Sequence, residues 1–165
     1  LPIEARDVVS RIQAASHTME ARVEALLRLS ELTRDGHIGA PQPCDLAAIA
    51  ASLVDDLRRA EPTRQVLVTI APAMRADGEP ALLGIVLENL LTNAWKYTRP
   101  RDPAHIDVAY RRETDRVVVS VRDDGIGFDM RQAHRLGVPF QRLHGSPSYE
   151  GVGIGLASAI RILAR

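Results

Sequence analysis

A polar edge along one predicted helix carries residue types that could bind a phosphorylated ligand. Asn89 and Asn93 lie four residues apart, which places them on one helix face, and Lys96 and Tyr97 follow on the next turn. An amide oxygen can coordinate Mg²⁺, and an ammonium group can bind a phosphate oxygen. The edge therefore suits a metal-bound polyphosphate, although a solvated polar face is the simpler explanation for any one of these side chains.

A glycine-containing turn could approach the other end of such a ligand. Asp123 is followed by Gly125 and Gly127 directly after a predicted strand. The glycines permit a sharp turn and a close backbone approach, and a carboxylate can accept the amino hydrogens of a purine. Taken alone, this spacing is equally compatible with an ordinary turn or a metal loop.

A second glycine segment opens the last predicted helix. Gly151, Gly153 and Gly155 alternate with apolar residues there. Successive backbone N–H groups at a helix N-terminus attract phosphate, and the helix dipole adds to this attraction. The spacing differs from the G-x-G-x-x-G fingerprint of Rossmann domains, and no Walker lysine accompanies it. The segment predicts a phosphate contact outside both of those nucleotide-binding classes.

The elements that would position these residues follow from apolar periodicity and from helix-breaking residues. Apolar residues recur at helical spacing where helices are predicted and alternate where strands are predicted. The predicted elements are helix 46–60 with Asp45 as its cap, strand 66–70, helix 79–97, strands 105–110 and 116–122 joined as a hairpin, and helix 155–164. This order predicts a sheet covered on one side by helices, with a loop-rich segment up to about residue 150.

A longer amphipathic helix is predicted near the N-terminus. Residues 7–34 contain no Gly or Pro, and their apolar residues recur at spacings of three and four. Such a stripe favours a helical hairpin or a second subunit as its partner, although packing on its own domain is the alternative. Glycines and prolines then predict a linker over 37–44, which divides residues 1–36 from a domain over 45–165.

Composition excludes several classes of partner. Among 165 residues, Lys and Arg together number 21, as do Asp and Glu, so the formal net charge is zero. This balance gives no indication of nucleic acid or an anionic membrane. The single cysteine, Cys44, fits a reducing compartment, and no apolar run approaches the roughly 18 to 20 residues of a membrane span. We expect a cytoplasmic location, no nucleic acid, and no membrane contact by this chain.

Four segments, in this order, resemble the N, G1, F and G2 boxes of the catalytic domains of sensor histidine kinases. They are N-L-L-T-N-A-W-K-Y-T from Asn89, D-D-G-I-G-F from Asp123, P-F-Q-R-L-H from Pro139 and G-V-G-I-G-L-A from Gly151. The first helix is similar to the second helix of the dimerisation and phosphotransfer hairpin, so the resemblance covers nearly the whole chain. The third segment is similar to the version in phytochrome-like and PAS-linked kinases.

The resemblance implies a fold, a reaction and a set of site residues. The fold is an α/β sandwich of the α+β class, with a mixed sheet covered by helices on one face and a long N-terminal helix before it. The ligands are ATP and Mg²⁺; Asn93 would coordinate the metal, and Asn89 and Lys96 would join it as catalytic residues on the phosphate side. The residues implied to contact nucleotide are Asn89, Asn93, Lys96, Tyr97, Asp123, Gly125, Gly127, Arg142, Gly151, Gly153, Gly155 and Leu156.

Individual roles also come from the resemblance. Asp123 would bind the adenine amino group, and Tyr97 would pack near the adenine. Residues 129–150 would form a mobile lid, in which Arg142 contacts phosphate and Phe140 packs the lid. Family members usually continue past the last helix with further strands, so a chain that stops at Arg165 would leave an open sheet edge.

The resemblance also bears on where the phosphoryl group goes. Hydrolases of the same fold, such as gyrase, place a Glu four residues before the metal-binding Asn, and here that position is Asn89. Glu88 is one residue off, which is about 100° around the helix. The sequence therefore favours transfer to a histidine, and then to a response regulator, over hydrolysis.

The acceptor histidine is expected outside this chain, in a homodimer formed through the first helix. His17 lacks the acidic residue, the arginine and the proline that follow the family's phosphoacceptor. Alone, the chain should bind ATP without phosphorylating itself. Two alternatives stay open: a hydrolytic ATPase of the same fold, and a pseudokinase or dimerisation module that binds no nucleotide.

Overall fold

The computed structural model describes residues 41–141 and 153–164, together with Val23. Except for Val23, the helix expected within residues 1–36 lies outside the described residues, as do Arg142 and Gly151. The described elements are β1 (Gln42–Asp45), α1 (Leu46–Ala60), β2 (Val66–Ile70), β3 (Arg75–Gly78), α2 (Pro80–Tyr97), β4 (Ala104–Arg112), β5 (Val117–Asp123), a 3₁₀-helix (Met130–Arg135) and α3 (Gly155–Leu163). None of the described helices is long and apolar enough to cross a membrane.

A three-stranded mixed sheet has β4 at its centre, between β2 and β5. β2 runs parallel to β4, with Val66 opposite Ala104. β5 returns antiparallel to β4 through the predicted hairpin, and its last residue, Asp123, lies opposite Ile106. The mixed sheet confirms the predicted fold class, and the hairpin brings Asp123 back beside the start of β4.

The helices cover one face of this sheet. Along β4, Ala104, Ile106 and Val108 are buried, whereas His105 and Asp107 between them are exposed. The buried residues of β4 pack with apolar residues of α1 and α2 into a single core. This alternation is what a half-buried strand requires, and it confirms the prediction of helices on one face.

The three described α-helices begin at or within one residue of the predicted positions. The Asp45 side chain accepts a hydrogen bond from the N–H of Ala48 at 3.0 Å and so caps α1. Pro80 occupies the first turn of α2, where its missing N–H costs nothing. α3 packs on α2 through a separate cluster centred on Val86, Ala159 and Ile162. The outcome is a layer of three helices with α2 in the middle.

A small two-stranded sheet was not predicted. β1 pairs antiparallel with β3, with Cys44 opposite Ala76. The prediction of a linker over 37–44 therefore misses a strand at Gln42–Asp45, and no element was predicted at Arg75–Gly78. Both segments are four residues long, and Cys44 is the only buried residue in either of them. They lack the apolar alternation that marks a strand, and Pro43 is tolerated because a two-stranded sheet consists only of edges.

Candidate nucleotide-binding site

The polar edge of α2 lies at the border between core and solvent. Asn89 and Asn93 are both half-buried, whereas Glu88 is exposed. The Asn89 side-chain N–H donates to the carbonyl of Ile85 at 2.8 Å, which fixes the orientation of its amide and leaves Oδ1 pointing away from the helix backbone. The Asn93 side chain makes no hydrogen bond to another described residue. Both side chains can therefore offer an amide oxygen to a ligand.

Lys96 lies one turn further along α2. Its Nζ is 4.4 Å from the centroid of the Tyr97 ring, which is a cation–π contact. Lys96 forms no salt bridge with a carboxylate of the described residues. Because an aromatic ring compensates the ammonium charge only in part, the ammonium can still bind an anionic ligand at this end of the helix.

Arg64 anchors the C-terminal end of α2, and sequence reasoning did not identify it. Its guanidinium donates to the Trp95 carbonyl at 2.5 Å and to Thr98 Oγ1 at 2.8 Å, and it lies 5.2 Å from the centroid of the Trp95 ring. A cation at a helix C-terminus satisfies carbonyl groups that have no partner within the helix. Arg64 thus fixes the turn that carries Lys96 and Tyr97, although it lies 31 residues before Trp95.

The turn after β5 is fixed against the same end of α2. The Gly125 N–H donates to Asp123 Oδ1 at 3.0 Å, and the Ile126 N–H donates to the Tyr97 carbonyl at 3.2 Å. A Cβ atom at Gly125 would lie 2.5 Å from that carbonyl oxygen, so only glycine fits there. Gly127 has a φ of +60°, a conformation that residues with a Cβ adopt only at a cost. The turn leaves the Asp123 side chain exposed beside Tyr97.

The second glycine segment reaches the middle of α2. Gly153 has a φ of +78°, and its carbonyl accepts a hydrogen bond from the Phe140 N–H at 3.0 Å. Gly155 starts α3 directly against Asn89: a Cβ atom there would lie 3.1 Å from Asn89 Cγ and closer still to Oδ1. Leu156, also predicted to contact nucleotide, is half-buried on the first turn of α3. The N-terminus of α3 thus lies directly beside Asn89.

The base of the predicted lid is described up to Gln141. Its 3₁₀-helix is capped by Asp129, whose Oδ1 accepts the Arg131 N–H at 2.9 Å. The Arg131 side chain also bonds this carboxylate, and these contacts lower the pKa of Asp129 below its ordinary value. Phe140, expected to pack the lid, is 43% exposed and has a φ of +65°. The backbone bond to Gly153 ties the lid to the glycine segment, a contact that no local pattern predicts.

The structure brings predicted site residues of different segments together at two points: Asn89 lies against Gly155, and the Tyr97 carbonyl lies against Gly125. Among the described residues, no side-chain hydrogen bond or salt bridge joins Asn93 or Lys96 to either glycine segment. Among residues 41–141 and 153–164, no group of three or more His, Cys, Asp or Glu side chains could hold a metal ion by itself. A divalent cation here would therefore take its ligands from amide oxygens, from a bound anion and from water.

A family model described as histidine kinase-, DNA gyrase B- and HSP90-like ATPase matches residues 78–165, which is more than half of the chain. Similar curated proteins include the phosphate regulon sensor protein PhoR of Pseudomonas aeruginosa, 29% identical over 95% of this chain and 36% of that protein. The sensor histidine kinase TrcS of Mycobacterium tuberculosis is 31% identical over 95% of this chain and 32% of that protein. Cyanobacterial phytochrome A of Nostoc is 40% identical over 47% of this chain and 10% of that protein. The chain thus spans about a third or less of the length of these relatives.

Solved structures agree on the fold. The mycobacterial sensor histidine kinase MprB matches with a TM-score of 0.63 at 22% identity, over 74% of this chain and 80% of that chain. Full-length ShkA matches with a TM-score of 0.67 at 21% identity, over 99% of this chain and 34% of that chain. The fold, the family match and the relatives agree with one another. The chain belongs to the histidine kinase-, DNA gyrase B- and HSP90-like ATPase family, in the branch formed by the catalytic domains of sensor histidine kinases.

Proposed function

We propose that this domain binds ATP with Mg²⁺ and, within its parent protein, transfers the γ-phosphoryl group to a histidine outside the present chain. One observation carries the proposal: the two glycine segments converge on one helix. Gly155 packs against Asn89, and Gly125 packs against the carbonyl of Tyr97 two turns further on. Two turns of helix span about 11 Å, which suits a ligand with a phosphate end and a base end.

The residues at the phosphate end fit a triphosphate. The α3 N-terminus directs backbone N–H groups and a positive dipole end toward the region beside Asn89. Lys96 supplies an ammonium that no described carboxylate neutralises. Asn93 would hold Mg²⁺ through its amide oxygen, and the metal would neutralise charge on the phosphates. The solved structure of full-length ShkA contains AMPPNP, which supports the assignment of a nucleotide to this fold.

The residues at the base end fit a purine. Asp123 Oδ1 is engaged by the Gly125 N–H, which orients the carboxylate so that Oδ2 can accept an exocyclic amino group. A carboxylate accepts hydrogen bonds and donates none, so it favours adenine, which presents an amino group, over a base that presents a carbonyl. The Tyr97 backbone carbonyl accepts the Ile126 N–H from the same turn, so Tyr97 is close in the fold to Asp123, and its ring would pack near the base.

Transfer to a protein nucleophile is proposed in preference to hydrolysis. At the position where hydrolases of this fold carry a general base, the chain has Asn89, whose carboxamide is not basic enough to take a proton from water. The neighbouring Glu88 is exposed, on another side of the helix. Catalysis would then consist of positioning and charge neutralisation, as phosphoryl transfer generally requires.

The relatives suggest the cellular setting. We infer that the parent protein is a homodimer joined through the segment that contains the predicted N-terminal helix. The phosphorylated histidine would pass its phosphoryl group to an aspartate of a response regulator. We place this catalytic domain in the cytoplasm, where ATP is available, and propose no contact with nucleic acid or lipid for it.

The reaction is tested with the parent protein and ATP labelled on the γ-phosphate. We expect a protein-bound label that is stable in base and labile in acid, as phosphohistidine is. Asn93→Ala should abolish the label, whereas Asp56→Asn, on the exposed face of α1, should leave it unchanged. Steady release of inorganic phosphate without any bound label would contradict the proposal and support a hydrolytic ATPase.

A further inference from the structure

His105 and Asp124 form a contact, here called the His105–Asp124 pair, directly beside the turn that holds Asp123. The His105 N–H donates to Asp124 Oδ1 at 3.0 Å, and Asp124 Oδ2 lies 3.0 Å from His105 Nδ1. The Asp124 N–H returns a hydrogen bond to the His105 carbonyl at 3.2 Å. One carboxylate therefore binds the backbone and the side chain of the same histidine, at the start of β4.

The pair continues the sheet beyond its last regular position. The β4–β5 ladder ends with Asp123 opposite Ile106, so His105 and Asp124 occupy the next position along the two strands. Arg101, just before β4, donates its side-chain Nε–H to the Asp124 carbonyl at 2.8 Å. Both the carboxylate and the backbone carbonyl of Asp124 are thus held, which fixes the peptide groups between Asp123 and Gly125.

The two adjacent aspartates have different partners. The Asp123 carboxylate accepts the Gly125 N–H and is otherwise exposed, whereas the Asp124 carboxylate is turned toward His105. A change in the backbone at Asp124 would change the direction in which Asp123 points. The pair thus holds the residue next to the carboxylate that is proposed to recognise adenine.

We propose that His105 and Asp124 are positioning residues that hold the Asp123 carboxylate toward the base, and that protonation of His105 tightens nucleotide binding. The inference rests on the proposed function. A neutral imidazole carries one N–H and must place it on Nδ1 to donate to Asp124, whereas an imidazolium carries both and adds an ion pair. Histidine changes charge near neutral pH, so the pair would make nucleotide affinity depend on pH in that range.

The surroundings of the pair are compatible with this role. The backbone N–H of His105, followed by its ring, lowers the pKa of Asp124, which favours the ionised carboxylate as the acceptor in the pair. On β2, the register partner of His105 is Leu67, which carries no charge. Among the described residues, Arg101 bonds the backbone of Asp124, Asp123 precedes it in the chain, and Asp107 and Arg122 face each other two positions further along the two strands. Because the histidine side chain is 59% exposed, solvent screens the ion pair and the expected effect is modest.

Two substitutions at one position separate the contact from its charge. His105→Ala removes the donor. His105→Asn places an amide N–H close to the position of Nδ1 but cannot titrate. Asp107→Asn is the matched control, because Asp107 lies two residues along the same exposed face and is opposite Arg122, away from the turn.

The experiment measures the dissociation constant of ATP with Mg²⁺ for each protein between about pH 6 and pH 8.5, a range that brackets an ordinary histidine pKa. At each pH, the dissociation constant of the variant is divided by that of the unmodified chain. This ratio cancels the effect that protonation of ATP itself has on binding. We expect His105→Ala to weaken binding about two- to fivefold at the acidic end. His105→Asn should bind ATP as tightly as the unmodified chain at high pH, and more weakly than the unmodified chain as the pH falls. Asp107→Asn should give a constant ratio.

The outcomes distinguish the inference from the proposed function. If the unmodified chain binds ATP and both His105 variants give a ratio of one at every pH, the inference is overturned and the proposed function stands. If the unmodified chain binds no ATP at any pH, the proposed function fails and the inference fails with it. Should His105→Ala not fold, the pH-dependent ratio of His105→Asn, which keeps the donor, still decides the question.

Discussion

Replacing Gly155 by alanine adds one methyl group at the point where α3 meets α2. The new Cβ would lie 3.1 Å from Asn89 Cγ and 3.7 Å from Asn89 Cβ, and closer still to Oδ1. Asn89 cannot simply rotate away, because its side-chain N–H is bonded to the Ile85 carbonyl at 2.8 Å. Either that hydrogen bond breaks or α3 moves away from α2, and both changes disturb the proposed phosphate site.

The magnitude follows from these two costs. Overpacking at a close contact costs about 1–3 kcal/mol, and losing the Asn89 hydrogen bond costs about 1 kcal/mol. We expect Gly155→Ala to lower the free energy of unfolding by about 1–3 kcal/mol, because the clash is relieved either by moving α3 or by breaking the Asn89 hydrogen bond and does not require both. ATP affinity should fall by about tenfold or more, because 1.4 kcal/mol of lost contact corresponds to a factor of ten.

Gly84→Ala is the matched control. Gly84 lies in the interior of α2, and a Cβ atom there meets nothing within 4 Å. The same chemical change should raise the free energy of unfolding by about 0.5–1 kcal/mol through helix propensity alone, and it should leave ATP affinity unchanged. Urea denaturation and calorimetric titration with ATP measure the two effects. If Gly155→Ala binds ATP as tightly as the unmodified chain, Gly155 and Asn89 do not form the phosphate site.

Three further substitutions test other parts of the account. Gly125→Ala should weaken ATP binding about tenfold or more, because its Cβ would lie 2.5 Å from the Tyr97 carbonyl oxygen and would force the backbone of the turn or of the helix to move. Calorimetric titration with ATP measures this effect. Arg64→Met should lower the free energy of unfolding by about 2–4 kcal/mol, because it removes the charged donor to Trp95 and Thr98; the urea midpoint measures the loss. The fold lowers the pKa of Asp124 from its ordinary value of 3.8. The ionised carboxylate therefore stabilises the folded state above that pH, and this stabilisation is lost as the pH falls below it. Melting temperatures between about pH 5 and pH 2.5 should therefore drop more steeply for the unmodified chain than for Asp124→Asn, and parallel profiles would contradict the assignment.

The main elements could be predicted from the sequence because their signals are local. The apolar spacing along α2 and the proline in its first turn define its bounds, and alternation defines β4 and β5. The cap at Asp45 is likewise a local feature, and the structure confirms it. β1 and β3 escaped prediction because each is short and mostly polar. Their pairing depends on a partner more than thirty residues away in the chain, which single-sequence patterns do not contain.

The candidate site likewise has features that local motifs predict and features that depend on contacts between residues distant in the chain. The order of the four boxes identified the family, and the family model and the relatives confirm it. The contact between Gly155 and Asn89 joins two elements distant in the chain, so only the fold reveals it. Arg64 and His105 carry no local motif at all; their roles come from partners that the sheet and helix layers bring to them. The predicted roles of Arg142 and Gly151, which lie outside the described residues, stay predictions.

The central claim is that a nucleotide binds between α2 and the two glycine segments with its base at Asp123. The most direct test is calorimetric titration of this chain with ATP and Mg²⁺, comparing the unmodified chain with Asp123→Asn and with the control Asp107→Asn. We expect the unmodified chain and the control to bind ATP alike, and Asp123→Asn to bind ATP about tenfold or more weakly, because a charged hydrogen bond is lost. Equal affinity of Asp123→Asn and the unmodified chain would contradict the proposed site.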